Sequence, residues 1–142
     1  MKKPDNYYLQ SGALPYRLRD EKLEILLITS RSKKKWIIPK GIIESGMKAY
    51  ESAALEALEE AGVIGEVSQD PLGSYKVKKW DGLCEVLVYP MKVENETKQW
   101  LEDSFRERKW FSVDEAKEVI ERGKIKKLIK NLEELLKKNN IN

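Results

Sequence analysis

Residues Gly41 to Val63, GIIESGMKAYESAALEALEEAGV, constrain this chain more than any other stretch. A glycine-bearing loop leads into an Ala-rich helical pattern, and Gly62 stops it. At roughly 100° per residue, Glu56 and Glu60 lie one turn apart on the same side, with Glu59 next to them. Ala53, Ala54, Ala57 and Ala61 fall elsewhere on the helix, and their small side chains allow close packing on a sheet. Like charges at i, i+3 and i+4 repel in a bare helix. A hard cation relieves that repulsion, and Mg²⁺ takes oxygen ligands from a few carboxylates, water and substrate phosphate. The simpler reading of an acidic helix face is a solvated surface. Gly41, Gly46 and Gly62 in register weigh against it.

The elements around this helix alternate between strand and helix patterns. Tyr7–Leu18 reads as a first strand and Lys22–Thr29, a nearly continuous apolar run, as a central strand buried on both faces. A basic loop, Arg31–Lys35, precedes a short strand, Trp36–Ile38, which Pro39 stops. The helix spans about Lys48–Ala61 and a short strand follows at Val63–Ser68. Leu72–Trp80 and Leu83–Val93 flank Asp81-Gly82, a strong hairpin signal. Glu94–Ser104 reads as a polar loop and Arg108–Phe111 as a strand. Ser112 and Glu115 form a capping box for a helix starting at Val113. A last helix, about Lys124–Lys138, carries an apolar stripe of Ile125, Leu128, Ile129, Leu132, Leu135 and Leu136. A mixed sheet between helices is an α/β layer architecture, and 142 residues make one ordinary domain, 1–142.

Composition excludes several chemistries. There is no histidine, which removes His-based catalysis and most zinc sites, and Cys84 is alone, so no intrachain disulfide forms. Lys2 and Lys3 precede no apolar run, no stretch is long enough to span a membrane, and the expected location is cytoplasmic. The net charge is only +3, which by itself does not argue for nucleic acid. Bases crowd into Arg31–Lys35, Lys76–Lys79 and the last helix, while acids crowd into the Gly41–Val63 stretch. A basic rim around an acidic metal site suits a phosphate-rich polyanion. Nothing in the sequence sets an oligomeric state.

The Gly41–Val63 stretch resembles the Nudix box, the signature of the Nudix hydrolases: G, five residues, E, seven residues, then REUxEExGU with U apolar. Gly41, Glu56, Ala57, Glu59, Glu60, Gly62 and Val63 fall on motif positions. Two positions depart: Met47 replaces the first glutamate and Leu55 replaces the arginine. In the family that arginine helps orient the following glutamate, here Glu56. Both supports are missing unless Glu44, Glu51 or a lysine substitutes. SGALPYR, LLITSRSKKKWIIPKG and RERKWFSVDEA extend the resemblance to about Ile120, toward the diphosphoinositol and diadenosine polyphosphate branch.

The resemblance implies an α/β/α sandwich with a mixed sheet and divalent-metal-dependent hydrolysis of a phosphoanhydride bond in a polyphosphorylated small molecule. A diadenosine polyphosphate or another nucleoside diphosphate derivative fits that description. Mg²⁺ is the implied ion, with Mn²⁺ as its alternative. By motif position Glu56 and Glu60 are direct ligands, Glu59 is a ligand or a base acting through water, and the Gly41 carbonyl is a further ligand. A base outside the box is expected in the loop holding Glu102, Asp103 and Glu107, with Glu107 taken as the candidate. Lys40 is placed to reach a phosphate, and Arg31, Lys33, Lys34 and Lys35 to contact outer phosphates; their simpler reading is a solvated turn. Trp36, Tyr75, Trp80 and Trp110 are either base-stacking platforms or core. The rival function is a catalytically weakened binding module, for which Met47 and Leu55 argue. A nucleic-acid partner has only the lysine clusters behind it. Restoring arginine at position 55 is expected to help activity if Leu55 is exposed, and to destabilise if it is core.

Overall fold

The structure, a computed structural model, describes residues 6–79 and 81–140. Its centre is the long strand β1 (Tyr7–Arg19). It pairs antiparallel with β2 (Lys22–Thr29), whose final five residues are buried, as a strand covered on both faces requires. β3 (Trp36–Ile37) pairs with the last residues of β2, on the same edge of β2 that β1 pairs farther back, and β4 (Lys40–Ile42) pairs with the middle of β1. Helix α1 (Ala49–Ala61) follows, then β5 (Val63–Val67), β6 (Gly73–Lys79), β7 (Gly82–Glu96) and β8 (Arg108–Ser112). β7 runs parallel to β1 and antiparallel to both β5 and β6, and β8 closes on β2. Helices α2 (Val113–Val119) and α3 (Gly123–Asn140) complete an α/β/α sandwich around a mixed sheet.

The sheet separates two cores. On one face Ala53, Ala57 and Ala61 of α1 are fully buried against Leu26, Ile28, Tyr89 and Met91; their missing bulk lets the helix sit low on the strands. On the other face Ile125, Leu128, Ile129 and Leu132 of α3 join Leu14, Ile25, Leu27, Val86 and Val88. The apolar stripe of α3 is narrower than expected, because Leu135 is 38% exposed.

Two boundaries move for long-range reasons. The expected loop from Glu94 begins later: β7 continues to Glu96 because β5 supplies partners there, Val63 opposite Glu96 and Ile64 opposite Asn95. The hairpin closes one residue earlier than Asp81-Gly82, since Lys79 pairs with Gly82. Gly82 serves a close approach instead: a Cβ there would stand 2.1 Å from the Asn6 carbonyl oxygen, which accepts from the Leu83 N–H. Trp80 lies outside the described residues.

Candidate active site

Helix α1 is aimed at its site by both ends. At the start, the Glu51 carboxylate accepts the Lys48 N–H at 2.8 Å, so Glu51 serves as a cap. At the end, Gly62 adopts φ +66, the left-handed stop that glycine makes without a Cβ clash. The last carbonyls are then collected from outside the helix. Trp100 Nε1 donates to the Glu60 carbonyl at 3.0 Å, and Arg108 Nη1 donates to those of Ala61 and Gly62. A guanidinium at the negative end of a helix is favourable.

So anchored, α1 turns Glu56 and Glu60 toward β4. Both are nearly buried, at 9% and 7% exposure. Their carboxyl groups hydrogen-bond to one another. Burial, reinforced by that bond, pushes Glu60 up to about 8, against the pull of Arg106. Burial also raises Glu56, with the charges of Glu59, Glu102 and Glu44 adding to it. Two buried carboxyl groups side by side oppose one another's ionisation. The Lys40 N–H donates to Glu60 Oε1 at 3.2 Å. Gly41 lies against Glu56 so closely that a Cβ there would stand 2.2 Å from Oε1.

These residues fit a divalent cation. The donors are hard oxygens, two nearly buried carboxylates side by side concentrate negative charge that a cation would neutralise, and the cradle at Gly41 exists only because glycine has no Cβ. Among the described residues, no three carboxylate, histidine or cysteine side chains stand together as a metal-holding group, so Glu56 and Glu60 are the two side chains the site itself brings together. Glu59 is half-buried and stands next to the pair. An open site of this kind leaves room for substrate oxygens and water.

Other residues gather here that local sequence patterns did not single out. Arg106 is buried; its Nε donates to Glu102 at 2.7 Å, its Nη1 to the Thr29 carbonyl at 2.9 Å, and its Nη2 stands 3.8 Å from Glu60. A guanidinium from a loop about fifty residues downstream thus meets the box carboxylates, although position 55 has no arginine. A cleft of about 520 Å³ opens beside Glu60, lined by Gln10, Arg31, Lys40, Lys79 and Arg106 among others. Lys40 Nζ donates to Gln10 at 3.4 Å, and burial, then the neighbouring Lys79, lowers its pKa to about 8. Clustered cations in a cleft are the usual means of holding a phosphate chain.

The basic loop divides. Arg31 lines the cleft, whereas Lys33, at φ +60, and Lys34 are exposed and do not line it. Lys35 Nζ lies 3.7 Å from Glu121, on the α2–α3 side. Of the loop carboxylates, Glu102 meets Arg106, and Asp103 accepts the Trp100 N–H at 3.0 Å. Glu107 is anchored by its backbone to Thr29 with its side chain exposed. Trp110 is partly buried under the Arg17 guanidinium, 4.1 Å from its ring centre, and Tyr75 is core.

The two departures sit differently. Met47 is 39% exposed. Leu55 is half-buried in an apolar groove with Leu58, Val63, Ile64 and Met91. Leu55→Arg should therefore lower stability by roughly 1–3 kcal/mol without raising metal affinity or turnover. Thermal melts and metal titration of the variant check this, and a kinetic gain at unchanged melting temperature would contradict it.

The model of the NUDIX domain matches residues 9–132 of this sequence. The chain belongs to the Nudix hydrolase family. Among Nudix relatives, Nudix hydrolase 13, mitochondrial, of Arabidopsis thaliana is 34% identical over 81% of this chain and 68% of its own length. The Bos taurus diphosphoinositol polyphosphate phosphohydrolase 3-beta is 31% identical over 83% of the chain and 72% of its own length. Among solved Nudix structures, the C. elegans Ap4A hydrolase superposes with a TM-score of 0.77 at 20% identity, covering 92% of this chain and 99% of that one. The NUDIX domain of Shewanella oneidensis NrtR, solved with ADP-ribose, does so with 0.75 at 16% identity, covering 93% and 90%. At those identities the likeness is one of fold. The expected Nudix family and α/β/α architecture are both borne out.

Proposed function

We propose that this Nudix chain hydrolyses a phosphoanhydride bond in a polyphosphorylated small molecule, with a divalent cation, Mg²⁺ or Mn²⁺. The observation that carries this reading is the junction of the nearly buried Glu56–Glu60 pair with a cleft lined by Arg31, Lys40, Lys79 and Arg106. A cation held there neutralises phosphate charge and acidifies a bound water. Glu56 and Glu60 hold it, with the Gly41 backbone and Glu59 as further oxygen donors. Arg106 keeps Glu60 and Glu102 in place. Glu59, or Glu102 from the loop, takes the proton of the attacking water; Glu107 is the alternative farther along the same loop. Lys40 and Arg31 hold the phosphates that do not react. The names of relatives favour diadenosine polyphosphate, ADP-ribose and diphosphoinositol compounds as the first substrates to try.

The second reading, a binding module with weakened catalysis, rests on Met47 and Leu55. A panel of those three substrates, assayed with Mg²⁺, with Mn²⁺ and with chelator, separates the two. Cation-dependent product supports the enzyme; binding without product on any substrate supports the module. No helix among the described residues is long and apolar enough to cross a membrane. A cytoplasmic setting is part of the proposal, to be checked by fractionation, since several relatives are named as mitochondrial.

The cleft also ranks the basic residues. Arg31→Ala should raise KM several-fold, most for the longest phosphate chain and most at low salt, with kcat little changed. Lys33→Ala should change neither. KM measured against chain length at two salt concentrations tests this; equal effects of the two variants would remove Arg31 from the phosphate contacts.

A further inference from the structure

Ser11 is a polar residue in an apolar layer. It is fully buried, and its hydroxyl has no hydrogen-bond partner among the described residues. A buried hydroxyl without a partner is destabilising, and alanine, which stands two residues on at Ala13 on the same face of β1, would avoid that. Ala13 packs with Ala53, Ala57 and Ala61, so Ser11 faces α1 as well. Its cross-strand partner is Gly41 of β4. Side chains of directly opposed residues lie on one face with Cβ atoms about 5 Å apart. The Cβ that Gly41 lacks would collide with the Glu56 carboxyl, so that carboxyl fills the space opposite Ser11.

We propose that Ser11 is the positioning residue of Glu56: with a cation bound, its hydroxyl donates to the Glu56 carboxylate oxygen that the cation does not take. This rests on the cation site of the hydrolase reading, and on no particular substrate. Without metal, the Glu56 and Glu60 carboxyl groups hydrogen-bond to one another. A cation needs both deprotonated, and that bond is then lost. Glu60 keeps the Lys40 N–H and the nearby Arg106. Glu56 is surrounded by the like charges of Glu59, Glu102 and Glu44, and Leu55 beside it in the helix offers no donor. Ser11 supplies one. Rotation about a single bond swings its Oγ between staggered positions, and an O–H donated to a carboxylate is among the stronger hydrogen bonds. A carboxylate held in this way meets the cation already oriented. The hydroxyl that is idle in the metal-free state thus has a partner in the loaded one.

Calorimetric titration with Mn²⁺ alone, without substrate, reads this role directly. Ser11→Ala should bind Mn²⁺ roughly tenfold more weakly than the parent. In chelator it should melt at or above the parent temperature, since it removes an unpartnered hydroxyl. Ser11→Thr and Ser11→Val separate the hydroxyl from its shape. Both add similar bulk, so packing strain is common to them, and Ser11→Thr should bind the ion roughly tenfold tighter than Ser11→Val. Ser52→Ala is the control for a buried hydroxyl that already has partners: Ser52 Oγ donates to the Ile42 carbonyl at 3.5 Å and accepts the Glu44 N–H at 3.4 Å. That variant should melt lower in chelator and bind Mn²⁺ much as the parent does. Equal Mn²⁺ affinity of the parent and Ser11→Ala, or of Ser11→Thr and Ser11→Val, overturns the role of Ser11 and leaves the cation site standing. So does a Ser11→Ala melting temperature in chelator as low as that of Ser52→Ala, because the hydroxyl would then be bonded without metal. A parent that binds no Mn²⁺ overturns the cation site and the role of Ser11 together.

Discussion

Glu60→Gln should lose more than about a hundredfold in cation-dependent turnover and yet melt a few degrees above the parent at pH 8 without metal. The two effects have one cause. Glu60 is a buried carboxyl whose pKa stands at about 8 in the fold against 4.5 ordinarily. Between those values the folded chain holds a proton that the unfolded chain releases. Stability of the metal-free protein therefore falls as pH rises from about 4.5 to 8, and levels off beyond. Glutamine keeps the shape and an acceptor for the Lys40 N–H but has no proton to lose, so its profile should be flatter across that window. A cation needs the deprotonated pair, so metal affinity of the parent should rise with pH through the same range and melting should recover. Melting curves from pH 5 to 9, with chelator and with Mg²⁺, show both trends. A parent curve flat in pH, or a fully active variant, would remove Glu60 from the metal site.

Gly41→Ala should separate function from folding even more sharply. The added Cβ lands 2.2 Å from Glu56 Oε1 and 2.7 Å from Oε2, so the carboxylate has to leave. The obstructed group is the end of a flexible side chain, and the backbone at Gly41 has no left-handed φ that alanine would resist. The fold should lose no more than about 1–2 kcal/mol, while metal affinity and turnover fall by tenfold or more because one ligand is displaced. Gly46→Ala is the control. Its φ of +82 strains alanine, but nothing lies within 4 Å of the new methyl, so stability should drop with little change in metal binding. Metal titration and thermal melts of the pair decide the point. Should Gly41→Ala bind metal as the parent does, Glu56 is not held at that backbone.

What the sequence determined by itself was local. The span of α1, the turn shared by Glu56 and Glu60, the stop at Gly62, the cap at Ser112 and the buried β2 all follow from propensity and periodicity over a dozen residues or fewer. The glycine spacing of the box carried the family as well. Tertiary structure decided whatever depends on residues far apart in the chain. Arg106 reaches Glu60 across 46 positions, and Lys79 joins Lys40 only because β6 and β1 flank β7. Glu102, rather than Glu107, meets Arg106 because its turn packs on the end of α1, where its N–H bonds the Glu59 carbonyl. Leu55 is half-buried because β5 and β7 supply apolar neighbours that helical periodicity cannot count. Side chains share a site when backbones from different strands converge, and convergence is set by sheet register, which no local pattern records.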